Sequence, residues 1–194
     1  MKYRIFFFLI LINIGHIGFA QPYKKAAEKQ FLHYTDLIIK KDFRSASDFI
    51  IDDLFSIVPK EQMISAMEKI FTLPGFQFSI DSPRVLKVGD SRRIDSAHFL
   101  TLEYANILSM KFHDQGDTSV VDTANAESEL LTLSLQSKFG EDNVKYDSNT
   151  GFYRIYSVKN VIAKSANLEQ WKFIVMEEDK MPFLKKIVPP ELLK

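Results

Sequence analysis

The spacing of apolar positions along this chain changes from a helical period to a strand period and back, and each change marks a boundary. Between Lys24 and Lys41 the residues Ala27, Phe31, Tyr34 and Ile38 recur at intervals of three and four, the stripe of an amphipathic helix. Lys41-Asp42 breaks the stripe, and Phe43, Ala46 and Ile50 start a second, shorter one that ends near Asp52-Asp53. Pro59 reads as the first residue of a third helix, where its missing N–H is no loss, and Glu61 suits the first turn. Met63, Met67, Ile70 and Phe71 form that helix's apolar face, and Pro74-Gly75 stops it.

From Phe76 the period falls to two, which predicts strands. Phe76, Phe78 and Ile80 alternate with Gln77 and Ser79, and a further strand is predicted over Val85 to Val88, after Pro83. Gly89 to Arg92 is a turn, and a long extended stretch runs from about Ser96 to Phe112. Within it, Asn106 separates the apolar set Leu100, Leu102, Tyr104 from the set Leu108, Met110, Phe112, and predicts a bulge. Ala126 to Phe139 reads as a fourth helix, capped by Gly140. Strands follow at Phe152 to Ala163 and Trp171 to Val175, then a helical turn at Met181 to Ile187. Helices, strands, one helix inserted between strands, and more strands make an α+β layout, with N-terminal helices on one face of a curved, mainly antiparallel sheet.

Ahead of this pattern, Lys2 and Arg4 precede an unbroken apolar run from Ile5 to Ile12, and Gly18-Phe19-Ala20 supplies small residues for cleavage before Gln21. Residues 1–20 therefore read as a signal peptide and 21–194 as a single exported domain, periplasmic or extracellular. The run is short for a membrane span, so no integral span is expected in the mature chain. Absence of cysteine leaves an exported protein that relies on its hydrophobic core, and excludes thiol nucleophiles, thiolate metal sites and a lipidated N-terminal Cys. Loss of Lys2 and Arg4 leaves 23 basic against 25 acidic residues, without the basic footprint of a nucleic-acid binder.

The order of elements, together with the Asp36-Leu-Ile-Ile-Lys-Lys-Asp-Phe43 segment that turns the first helix into the second and the closing Trp171-Lys172-Phe173 strand, resembles the nuclear transport factor 2-like superfamily, the cystatin-like α+β cone. The helix from Ala126 to Phe139 is an addition to the minimal cone. The resemblance implies a pocket between the curved sheet and the first helix, and dimerisation through the sheet's outer face. It supplies no matched catalytic motif, and fold alone does not assign function.

Chemistry-bearing groups are sparse. His33, His98 and His113 have no spacing that makes a metal pair, and His113 with Asp114 and Asp117 reads as a solvated loop, so no metal or other cofactor is expected. Asp36, Glu103 and His98 are the acid/base candidates beside apolar positions, but strand alternation turns Glu103 away from Leu102 and Tyr104. Tyr34, Tyr104, Tyr156 and Trp171 are the candidates to line a pocket, because each carries an apolar ring with one polar atom that needs a partner. The reading that follows is an exported, non-catalytic binding or association module, with a small apolar ligand or a protein, a second copy included, as partner. The alternative is a small isomerase or dehydratase using a buried carboxylate or His.

Overall fold

The computed structural model describes residues 22–112, 121–177 and 181–193. The proposed signal peptide, the His113 loop and the acidic pair Glu178-Asp179 lie outside these residues. The chain is α+β. Three helices come first: α1 (Pro22–Ile39), α2 (Phe43–Ser47) and α3 (Lys60–Thr72), with a 3-10 turn at Asp52–Ser56 between the last two. Strands β1 (Phe76–Val88), β2 (Arg92–Ile94) and β3 (Ala97–Phe112) follow, then α4 (Val121–Phe139), β4 (Val144–Asp147), β5 (Phe152–Ser165), β6 (Lys172–Val175) and α5 (Met181–Ile187).

Two long strands organise the sheet. β3 and β5 pair antiparallel without a register shift from His98↔Ser165 to Met110↔Tyr153. The outer flank of β3 is shared by β1 and the short β2, and the outer flank of β5 by β4 and β6. All named strand pairs are antiparallel; a lone parallel bridge joins Ile50 to Phe173 and ties the segment after α2 to β6.

The helical stripe of α1 does what its spacing predicts, with the buried line running through Ala27, Phe31 and Thr35. Ala27 and Phe31 pack with Leu100, Leu102, Tyr104, Val161, Ala163, Trp171 and Phe173 into one core on the inner face of the sheet. A second core on that face gathers Leu108, Tyr153, Ile155 and Val144 under Leu135 of α4. The opposite face carries a third, where Phe99, Ile162 and Ile174 meet Ile51, Leu184 and Val188. Strand alternation explains the division: even positions of β3 and odd positions of β5 face α1 and α4, and their neighbours face the other way.

Boundaries differ from the sequence reading at several places, and α4 begins at Val121 rather than Ala126. The two strands expected either side of Pro83 are one strand, β1, interrupted where Ser82 adopts a positive φ of 51° and Pro83 follows it. The extra residue of the expected bulge sits there, on β1 rather than on β3. Pro59 is the residue before α3 rather than its first. Two short strands, β2 and β4, escaped the alternation test because three or four residues are too few to show a period. Gly89 is required by close approach: its N–H donates to the Thr101 carbonyl at 2.8 Å, and a Cβ there would meet the Thr101 hydroxyl at 2.9 Å.

Trp171 anchors α1 to the sheet. It is 1% exposed, its indole N–H donates to the Leu168 carbonyl at 3.2 Å, and its backbone N–H donates to Gln30 Oε1 at 2.9 Å. The Gln30 amide in turn donates to the Glu169 carbonyl at 2.7 Å, so one α1 side chain holds both sides of the turn before β6. Trp171→Ala is expected to lower unfolding stability by about 3–5 kcal/mol in urea titration. Leu133→Ser, at a position 56% exposed on α4, should stay within about 0.5 kcal/mol of the parent.

Candidate functional site

Apolar at both ends, the inner face of the sheet is polar in the middle. On β3 the inward positions run Leu100, Leu102, Tyr104, Asn106, Leu108, and on β5 the facing positions run Ala163, Val161, Lys159, Ser157, Ile155. The α1 core covers the first part of each row and the α4 core the last. Between them lie two cross-strand pairs, Tyr104↔Lys159 and Asn106↔Ser157. The break in β1 falls beside the second pair: Asp81 opposes Ile107 and Arg84 opposes Ala105, so Ser82 and Pro83 together oppose the single residue Asn106. A bulge of this kind bends and twists the sheet locally.

Asn106 is 6% exposed and Ser157 is 3% exposed. Neither Asn106 Oδ1 nor Ser157 Oγ has a hydrogen-bond partner, although the two side chains are directly opposite one another. Ser91 Oγ shares this state at a separate place, beside the turn that α1 holds through Tyr23. An unpaired buried acceptor costs about 1–3 kcal/mol, and protein interiors hold few of them. Two side by side in the middle of a sheet face therefore mark a place where a further hydrogen-bonding group, an ordered water or a ligand, would be stabilised.

Around this pair sit two phenols and an ion pair. Tyr104 packs edge-on against Phe31 with ring centres 4.8 Å apart, and Tyr34 of α1 lies against the same Phe31 at 6.0 Å and against Phe173 at 6.3 Å. Burial pushes the Tyr34 phenol up to about 12, and the nearby Glu177 carboxylate adds to that rise. The Tyr104 phenol is also raised, by burial first and then by Tyr34 and Glu177. Glu177 is held by Lys159 at 2.5 Å, both side chains about one-quarter exposed. At neutral pH both phenols are thus protonated hydrogen-bonding groups, far from the range in which an acid/base catalyst works.

Of the four residues expected to line a pocket, the fold brings Tyr34, Tyr104 and Trp171 into the α1 core and leaves Tyr156 apart. Tyr156 is on the outer face, where its hydroxyl accepts from Arg84 at 3.2 Å. The polar atom of Trp171 is satisfied within its own turn, so Tyr34 and Tyr104 are the two that border the polar seam. Asn106, Ser157, Lys159 and Glu177 carry no motif or spacing that marks them as site residues in the sequence. Only the interruption of the apolar row at Asn106 signalled one of them in the sequence.

The acid/base candidates are placed elsewhere. Asp36 forms an exposed i,i+4 pair with Lys40, and Glu103 lies on the outer face between Lys87 and Asn160 in the ladder. His33 is exposed, its ring edge-on to Phe49 at 5.4 Å, and His98 sits near the start of β3 between Arg93 and Ser165. Among the described residues no three His, Cys, Asp or Glu side chains come together as a metal site, and no helix is long and apolar enough to cross a membrane.

The raised phenols have a measurable consequence. A folded phenol with a pKa near 12 binds its proton more tightly than an unfolded one near 10, so its contribution to stability is full below pH 10 and is lost as pH rises towards 12. Absorbance titration should show a late-ionising class of tyrosine that loses one member in Tyr34→Phe and another in Tyr104→Phe. Glu177→Gln should move that class downward while leaving it above 10, because burial is the larger cause.

No known protein family, curated protein or solved structure matches this chain.

Proposed function

We propose that this protein is an exported, non-catalytic binding module that holds a small, largely apolar molecule against the inner face of its sheet. The observation that carries this reading is the pair of adjacent, buried and unpartnered oxygens, Asn106 Oδ1 and Ser157 Oγ. Ligand sites are mostly apolar walls with a few placed polar groups, and here the walls are the α1 and α4 cores on either side of the pair. A ligand hydroxyl or N–H would donate to Asn106 Oδ1 and exchange a hydrogen bond with Ser157. Tyr34 and Tyr104, protonated at working pH, border the same seam.

Export is supported by the basic, apolar and small-residue order of residues 1–20. Placement of a long first helix over a bent antiparallel sheet is what supports the resemblance to the nuclear transport factor 2-like cone. The isomerase or dehydratase alternative draws on one observation, the Glu177 carboxylate beside two buried phenols. Binding at the seam would then depend on Glu177, whereas the non-catalytic reading needs only Asn106 and Ser157.

Native mass spectrometry of the chain purified from an exporting host tests the proposal. A bound small molecule is expected in the parent, absent from the double variant Asn106→Leu, Ser157→Ala and retained in Glu177→Gln. The double variant should also be more stable than the ligand-free parent by about 1–3 kcal/mol, since two unpaired buried acceptors are replaced by apolar groups. A parent that carries nothing, or a double variant that carries the same molecule, contradicts the proposal.

A further inference from the structure

The outer face of the sheet's far half bears two facing cations that no ion pair among the described residues engages. Lys145 of β4 and Arg154 of β5 are directly opposite one another in the ladder, and both are exposed. Like charges in that position destabilise a strand pair. Seven ion pairs are formed among the described residues, yet neither Lys145 nor Arg154 takes part in one, and neither side chain makes a hydrogen bond. One row along the same face, Lys111 lays its stem against Gly151 and its ammonium over the Phe152 ring, 5.6 Å from the centre. Further along, Arg84 stacks on Tyr156 at 5.7 Å. Four of the chain's 25 basic residues thus rest on rings or outside any ion pair among the described residues.

This face carries a shallow, open groove of about 360 Å³, lined by Ser79, Ser109, Asp147, Thr150, Phe152 and Arg154. Ser79, Ser109 and Arg154 form one row across three strands, and Phe152 and Asp147 form part of the next. Asp147 is a fixed anion: Thr150 Oγ1 donates to it at 2.9 Å and the Asn149 N–H at 3.0 Å, which hold its carboxyl below the usual range. The groove therefore combines a guanidinium fork, a rigid carboxylate acceptor, two serine hydroxyls and one aromatic ring, and the Lys145 ammonium belongs to the residue opposite Arg154 on the neighbouring strand.

These groups discriminate between ligand chemistries. An arginine fork matches a carboxylate bidentately, and the Lys145–Arg154 repulsion would be relieved by an anion between them. A bare anion such as sulfate would also meet the Asp147 carboxylate, which repels it. A sugar ring instead offers hydroxyl donors to Asp147 and to Ser79, whose own hydroxyl donates to Asp81 Oδ2 at 3.3 Å, donors and acceptors to Ser109, and a C–H face to Phe152. We propose that this groove binds an acidic saccharide of the uronic-acid class, with its carboxylate on Arg154 and Lys145 and its hydroxyls on Asp147, Ser79 and Ser109. The groove is on the face opposite Asn106 and Ser157, so the two sites stand or fall separately.

Affinity electrophoresis of the full chain through gels containing polygalacturonate, alginate, dextran or polyglutamate tests it. Retardation by polygalacturonate or alginate is expected, with little by neutral dextran or by polyglutamate. Arg154→Ala and Lys145→Ala should each weaken retardation at least tenfold while their urea midpoints stay at or above the parent's, since a like-charge pair has been removed. The Asn106→Leu, Ser157→Ala variant should migrate as the parent does. Retardation by neither uronate polymer overturns the proposal. So does equal retardation by dextran or polyglutamate, or unchanged retardation of both charge variants.

Discussion

Unshifted pairing of β3 with β5 is the constraint from which the rest of this structure follows. With a side-chain period of two, thirteen consecutive pairs from His98↔Ser165 to Met110↔Tyr153 fix which residues of both strands face α1 and α4 and which face outward. A slip of β3 by one residue would carry Leu100 and Leu102 out of the core and bring Thr101 and Glu103 into it. The two apolar cores of the inner face and the third core of the outer face are consequences of that single register. So is the juxtaposition of Asn106 with Ser157, while the separate β4–β5 register sets Lys145 opposite Arg154.

Both candidate sites are places where the chain works against its own stability. In the inner seam two acceptors are removed from water and given nothing in return, in a protein that has no disulfide to compensate. Two cations face each other on the outer groove although acids are as numerous as bases in the sequence. Other polar side chains are put to full use: Gln30 makes two hydrogen bonds to one turn, Ser165 and Asn167 cap that turn from within, and Arg44 grips Glu61 through both guanidinium nitrogens. Local departures from this economy are where functional constraint is most readily recognised.

Much of the architecture was legible in the sequence because its periods are long and clean. The stripe Ala27, Phe31, Tyr34 located α1, Gly140 with its positive φ of 91° ended α4, and the alternation from Leu100 to Phe112 marked β3. Short elements were missed, and the bulge was attributed to β3 when its extra residue is on β1, since a sequence shows where a pattern breaks but not which strand supplies the additional residue. The candidate sites were legible only in part. Tyr34 and Tyr104 stood out as amphipathic rings, whereas Ser157 and Lys145 are ordinary alternating polar positions until the ladder sets each one opposite its partner. Cross-strand pairing is non-local information, and single-sequence periodicity does not contain it.

The central claim is that the seam between the α1 and α4 cores completes its hydrogen bonding with a molecule from outside. A high-resolution crystal structure of the chain as purified from an exporting host examines that point directly. Density for a non-water molecule within hydrogen-bond distance of both Asn106 Oδ1 and Ser157 Oγ is the predicted result. A single ordered water bridging the two oxygens, or a direct Asn106–Ser157 hydrogen bond, would show the seam to be self-sufficient and contradict the account.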